Sequence, residues 1–119
     1  MSTIEIELIP EFKGERVMLL AMDRDGLVAV RTALTEAQYG LASIAASGTV
    51  EMEFRSEPDQ AAIDLDAMPA IWRLSPKKID EIVEKLDAME VFPGPCHHYV
   101  DIATPAKTLV LAKDEYLST

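Results

Sequence analysis

The clearest hydrophobic pattern of the chain lies in residues 75–92. Apolar residues recur there at spacings of three and four, and charged residues occupy most positions between them. This periodicity is typical of an amphipathic α-helix with one buried face. Ser75 is a favourable N-cap and Pro76 suits the first helical position, so the start of the helix is also predicted. The predicted buried stripe consists of Ile79, Ile82, Val83, Leu86 and Met89.

A second stretch, residues 23–40, allows two interpretations. Asp23-Arg24-Asp25-Gly26 is compatible with a turn between two strands, and the β-branched Val28 and Thr32 favour that hairpin. We prefer a helix, because Asp23 is a good N-cap and Gly40 suits the position just beyond a helix end. The apolar residues that recur at helical spacing are Leu27, Val30, Leu34, Ala37 and Leu41.

Strand patterns lie on either side of both predicted helices. Residues 3–8 and 50–55 alternate between apolar and polar side chains, which is typical of half-buried strands. Residues 17–22 are apolar at every position, so a strand covered on both faces is expected there. Pro10 is expected to end the first strand, and residues 113–117 are expected to form a last helical turn or a frayed end. Further strands are predicted at residues 41–47, 61–66, 70–74, 97–102 and 108–112.

The same order of elements occurs twice along the chain. Residues 1–57 and 60–115 each read as two strands, a helix and two strands, with a turn at Gly48 between the last two strands of the first half. The helices align at an offset of 52 residues, which matches Asp23 with Ser75. Elsewhere residues 4–7 resemble residues 63–66, and residues 41–54 correspond to residues 98–111. Duplication and independent arrival at the same pattern both remain open.

We therefore predict that residues 1–119 form a single α+β domain. Two helices would pack on a mostly antiparallel sheet, either continuous or divided into two pseudo-symmetric halves, with a duplicated ββαββ unit as a hypothesis. Trp72 is expected to be half-buried within it.

Composition narrows the class of protein and its compartment. The 119 residues are 49% hydrophobic and 27% charged, and no apolar run approaches the roughly 18 residues that a membrane span needs. The beginning of the sequence has no basic and apolar signal pattern, and one cysteine cannot form an intramolecular disulfide. A cytoplasmic protein is expected. The formal net charge of −10 argues against nucleic acids and anionic membranes as partners.

One short segment gathers nucleophile and metal-ligand residue types. In a strand, however, His97, Tyr99 and Asp101 would point to one side, and Cys96 and His98 to the other. A metal site or an activated cysteine needs converging groups, so neither is favoured. A small enzyme or metal-binding protein is kept as the alternative function. No specific catalytic, metal or cofactor motif is present, so no catalytic residue, metal ligand or cofactor is predicted. The possible polar site consists of Cys96, His97, His98, Tyr99 and Asp101.

Carboxylates on three predicted strands suggest the preferred function. If these strands share one sheet, their polar sides form one acidic face that suits a basic protein surface. We interpret the chain as a non-enzymatic interaction protein, such as an inhibitor or regulatory partner. The residues of this predicted acidic face are Glu5, Glu7, Glu51, Glu53, Asp64 and Asp66.

The apolar strands also bear on oligomeric state. Residues 17–22 and 109–112 are apolar on both sides, whereas two helices can cover only one face of a single sheet. A second copy of the chain would cover the other face, so a homodimer is predicted.

Overall fold

The computed structural model describes residues 3–40, 43–47 and 50–117. The predicted stripe residue Leu41 and the predicted turn at Gly48 lie outside these ranges. Two helices are packed with β-sheets, which confirms the α+β prediction. The described elements are β1 (Ile4–Phe12), β2 (Glu15–Met22), α1 (Arg24–Ala37), β3 (Ser43–Ser47), β4 (Val50–Ser56), β5 (Ala61–Asp64), β6 (Ala70–Leu74), α2 (Pro76–Val91), β7 (Cys96–Asp101) and β8 (Thr108–Lys113).

Both helices begin at the predicted N-caps. The Asp23 carboxylate accepts hydrogen bonds from the backbone N–H of Gly26 at 2.7 Å and of Thr3 at 2.9 Å. Burial raises the pKa of the Asp23 carboxyl, but these hydrogen bonds outweigh it and hold the pKa below its usual value. The Ser75 hydroxyl accepts from the N–H of Lys78 at 3.1 Å. The helix interpretation of residues 23–40 is confirmed, and the hairpin alternative is wrong.

The buried faces of the helices also agree with the predicted stripes. Val83 is half-buried against the core, and the other described stripe residues are buried. Neither helix of the described ranges is long and apolar enough to cross a membrane. The fully buried residues of the two stripes are Leu27, Val30, Leu34 and Ala37 in α1 and Ile79, Ile82, Leu86 and Met89 in α2.

The strands form two four-stranded sheets rather than one. Sheet A has the order β1-β2-β8-β7, and sheet B has the order β3-β4-β6-β5. The central pair of each sheet is parallel, and the flanking pairs are antiparallel. The sheets are thus mostly antiparallel, as predicted. The parallel pairs join strands that are not consecutive in the chain, so local periodicity gave no sign of them.

The two halves of the chain contribute to both sheets in the same way. If β1, β2, β3 and β4 are exchanged with β5, β6, β7 and β8 respectively, the strand order of sheet A becomes that of sheet B. Duplication itself stays a prediction. Leu20 and Trp72 are equivalent at the offset of 52 residues. Leu20 pairs with Ile6, and Trp72 pairs with Ile63. Ile6 is therefore the equivalent of Ile63, whereas the sequence comparison had matched Ile4 with Ile63. Strand alternation repeats every two residues, so it cannot detect a shift of two.

The inner faces of both sheets and the buried faces of both helices form one core. Trp72 is fully buried there, with its ring centroid 5.1 Å from that of Phe54. The prediction of a half-buried Trp72 is wrong, because β6 is a central strand of sheet B and places this side chain between the sheet and the helices.

A second apolar cluster lies on the opposite, outer face of sheet A. Phe12, Ile9 and Leu117 pack against it, so this face is covered within one chain. The premise of the predicted homodimer, an uncovered apolar face, therefore does not hold. We call this set the outer cluster, and its buried members are Val17, Leu19, Ala21, Val110 and Ala112.

Two local features bring the covering side chains into place. β1 continues beyond Pro10 to Phe12, with a register shift between Ile9 and Phe12. Proline is tolerated there because β1 is an edge strand and the ladder is irregular. After β8 the chain turns back at Asp114 and Tyr116, whose φ angles are 57° and 60°. Neither a strand end at Pro10 nor a helical turn or frayed end at residues 113–117 is therefore correct.

Candidate functional site

The cysteine and histidine segment forms β7, and its side chains alternate between the two faces of sheet A. Cys96 packs against the core. His97 and Tyr99 pair with Ala112 and Val110 of the outer cluster, and their rings lie 5.4 Å apart. His98 pairs with the core residue Leu111 and so lies on the inner side. The strand therefore separates the two histidines.

The partners of these residues are structural. His97 Nδ1 lies 2.9 Å from Glu115 Oε1, which ties the C-terminal segment to β7. Burial raises the pKa of the Cys96 thiol, and the charges of Glu115 and Asp114 raise it further against the opposing effect of Lys113. A raised thiol pKa lowers the fraction of nucleophilic thiolate. Within the described residues, no three His, Cys, Asp or Glu side chains are grouped so as to hold a metal ion.

The predicted acidic face is divided between the two sheets. Glu5 and Glu7 pair with Ala21 and Leu19 and lie on the outer face of sheet A. Glu51, Glu53 and Asp64 lie on the outer face of sheet B, and Asp66 lies in the loop that follows. A single acidic sheet face is therefore wrong, because the alternation showed which residues share a side of a strand but not which strands share a sheet.

One groove nevertheless includes one carboxylate from each sheet, Glu7 and Glu51. β1 packs against β4 across the junction of the sheets, and the segment before β6 contributes the rest of the groove lining. Its volume is about 600 Å³. We call it the acidic groove, and it is lined by Ile6, Glu7, Leu8, Glu51, Leu65 and residues 67–70.

Glu7 and Glu51 supply the charges in the lining of the acidic groove. Glu7 and Glu51 are exposed and form no ion pair with any residue that the structure describes. Glu53, in contrast, is bound to Arg55 at 2.6 Å. Asp66 lies between two lining residues, and its backbone N–H donates to the Asp64 carboxylate at 3.0 Å.

The walls of the acidic groove are largely apolar. Leu8 and Leu65 line it, and the Met68 side chain at its rim is 96% exposed. An exposed, flexible methionine beside unpaired carboxylates suits a ligand that is both cationic and apolar. In the sequence, residues 67–69 only separate two predicted strands and gave no sign of a site.

Sequence reasoning missed Lys113. This side chain is only 4% exposed, and its ammonium donates hydrogen bonds to the carbonyls of Met89, at 2.8 Å, and Phe92. These carbonyls belong to the end of α2, where a positive charge is favourable. Lys113 thus fastens α2 to β8. The only sequence signal was a lysine directly after the apolar run of residues 109–112.

Comparison with known proteins gives no relationship. No protein family, no curated protein and no solved structure matches the chain.

Proposed function

We propose that this protein is a non-enzymatic interaction protein that holds a basic segment of another protein in the acidic groove. The observation that carries the proposal is the meeting of Glu7 and Glu51 in one groove without an ion pair to any described residue. A net charge of −10 would also steer a basic partner towards the molecule. Binding would give both carboxylates the counter-charge that they lack.

The groove suits a segment in which lysine or arginine alternates with an apolar residue. The cationic side chains would pair with Glu7 and Glu51, while the apolar side chain would contact Leu8 and Met68. Charge pairing at an interface mainly sets specificity and association rate, and the apolar contact adds affinity. An inhibitor or regulatory partner acts through such a contact, which needs no catalytic group.

The test compares two variants of equal net charge. Glu7→Gln/Glu51→Gln removes both groove carboxylates, and Glu11→Gln/Glu84→Gln removes two exposed carboxylates outside the groove lining. Affinity for a fluorescent peptide of alternating lysine and leucine is measured by anisotropy. The groove variant should bind about tenfold more weakly, since two exposed ion pairs of about 0.7 kcal/mol each sum to about 1.4 kcal/mol. The control variant should stay within about threefold of the parent.

Equal weakening in both variants would show that overall charge, and not the groove, attracts the peptide. Absence of binding to the parent protein at low salt would reject the proposal altogether. A matched peptide of alternating glutamate and leucine should not bind.

The other partner and function hypotheses have less support. A catalytic or metal-binding role needs convergence of the β7 side chains, which lie on opposite faces of sheet A. A homodimer needed an uncovered apolar face, and the outer cluster is covered. Cytoplasmic location stays a prediction from the sequence.

A further inference from the structure

We propose that a second site, at one end of sheet A, binds a phosphate ester of a flat heteroaromatic compound, as in a mononucleotide. This inference is independent of the function proposed for the acidic groove. Its first support is the distribution of cations. All 11 lysine and arginine side chains lie in the described ranges. Seven of them form an ion pair or a hydrogen bond there: Arg24, Arg31, Arg55, Arg73, Lys78, Lys85 and Lys113.

The remaining four cations are not scattered evenly. Lys77 lies on α2, whereas Lys13, Arg16 and Lys107 line two adjoining cavities. In a protein with a net charge of −10, these three cations outnumber Glu15 and Asp101, the two carboxylates that line the same cavities, so this end of the molecule is locally more positive than the rest. Such a region attracts a doubly charged phosphate more strongly than a singly charged carboxylate.

The two cavities share Glu15 and Thr108. The first, which we call the basic groove, has a volume of about 580 Å³ and contains Arg16 and Lys107 in its lining. Arginine can bind phosphate through two parallel hydrogen bonds, and lysine adds a point charge. The Glu15 carboxylate already accepts a hydrogen bond from the Thr108 hydroxyl at 3.2 Å, which holds it at the boundary between the cavities.

The second cavity, which we call the aromatic pocket, has a volume of about 320 Å³. Phe12 and Tyr99 line it together with Val17, and Lys13 Nζ lies 5.6 Å from the centroid of the Phe12 ring. A flat ring would contact these aromatic and apolar groups. The Asp101 carboxylate in the same lining can accept hydrogen bonds from ring N–H or amino groups.

The aromatic walls are held by further ring contacts. Tyr116 lies 5.5 Å from Phe12 and 6.3 Å from His97, and His97 lies 5.4 Å from Tyr99. These contacts link the end of β1 to β7 through the C-terminal segment. A pocket with fixed walls loses less conformational freedom when a ligand binds.

The basic groove and the acidic groove occupy equivalent positions in the two halves of the fold. It lies at the amino end of the parallel pair β2 and β8, and the acidic groove lies at the amino end of the parallel pair β4 and β6. Leu109 pairs with Met18, and Met52 pairs with Ala70, so Thr108 corresponds to Glu51. The two halves thus place grooves of different charge at equivalent positions. The acidic remainder of the molecule would repel the further phosphates of a nucleic acid strand, which favours a single phosphate ester.

Isothermal titration calorimetry with three probes tests both parts of the site. The probes are adenosine 5′-monophosphate, adenosine and inorganic phosphate. The monophosphate should bind with a dissociation constant below about 1 mM, and each of the other two should bind at least about tenfold more weakly, because each engages only one cavity. A phosphate that binds as tightly as the monophosphate would overturn the aromatic part of the proposal.

Variants locate the binding on the chain. Arg16→Gln/Lys107→Gln should weaken monophosphate binding at least about tenfold and leave adenosine binding unchanged, whereas Tyr99→Ser should weaken both. The control Arg24→Gln/Lys77→Gln removes the same charge outside both cavities and should have an effect below about threefold. Chemical denaturation would confirm that each variant is folded. No monophosphate binding to the parent, or equal weakening by the control, would overturn the site.

Discussion

At the scale of single residues, the close approach of β1 to α1 leaves no room for a side chain at Gly26. Asp23 donates its backbone N–H to the Thr3 carbonyl at 3.1 Å and accepts the Thr3 N–H with its carboxylate. A Cβ atom at Gly26 would lie 2.2 Å from the Thr3 carbonyl oxygen. The equivalent position in α2, 52 residues later, is Lys78, where a long side chain is accommodated. Glycine is therefore required at position 26 because no side chain fits there, and not because the backbone angle is unusual.

We expect Gly26→Ala to lower the free energy of unfolding by about 1–3 kcal/mol. Alanine is favoured over glycine in a helix by about 1 kcal/mol, but the clash with Thr3 forces β1 or α1 to move. Thr32→Ala on the exposed face of α1 is the control, and it should be neutral or slightly stabilising. Urea denaturation monitored by circular dichroism gives both values. A Gly26→Ala protein as stable as the parent would mean that the two elements are not in this contact.

Residue-scale prediction from the sequence succeeded where the cause is local. Asp23 and Ser75 were identified as caps because a cap depends only on the three residues that follow it. The requirement at Gly26 was missed because it arises from Thr3, which lies in another element. The buried ammonium of Lys113 was missed for the same reason, since its partners belong to the end of α2.

At the scale of secondary-structure elements, periodicity showed which face of each element is buried but not which elements pack together. The helices and the alternating sides of β1, β4 and β7 follow from the repeat of apolar residues. Strand pairing does not, because the parallel pairs β2 with β8 and β4 with β6 join opposite halves of the chain. The acidic groove depends on such long-range packing. Glu7 and Glu51 were both identified as candidates, but their meeting at the junction of two sheets was not.

The buried face of α2 supports a prediction at this scale. Leu86 is fully buried within the core, whereas Glu84 is exposed on the other side of the helix. Leu86→Ala should lower the free energy of unfolding by about 2–5 kcal/mol, because it leaves a cavity, and Glu84→Ala should change it by less than about 0.5 kcal/mol. The two values come from the same denaturation experiment. Similar losses in both variants would contradict the assignment of the helix face.

At the scale of the whole molecule, the outer cluster explains why the predicted homodimer loses its basis. Two distant segments cover this face of sheet A: the end of β1 supplies Phe12, and the chain beyond β8 supplies Leu117. Neither residue belongs to a repeating apolar pattern, so periodicity gave no sign of its role. Hydrophobic patterning can count surplus apolar faces, but it does not show which irregular segments fold over them.

We therefore expect the parent chain to sediment at micromolar concentration with a mass near 13.1 kDa at both low and high salt. Phe12→Ser/Leu117→Ser would uncover Val17 and Val110, and the resulting apolar patch should drive self-association. Because each copy carries a net charge of −10, added salt should strengthen the association of this variant by screening the repulsion.

The control for this experiment is Tyr39→Ser/Val91→Ser. Both of these side chains are 81% exposed already, so their replacement uncovers no buried surface and the protein should remain monomeric. Sedimentation equilibrium separates the outcomes by mass. A parent chain that is dimeric at both salt concentrations would show that a surface other than the outer cluster carries the dimer, because the covering side chains leave too little of that cluster accessible for a partner.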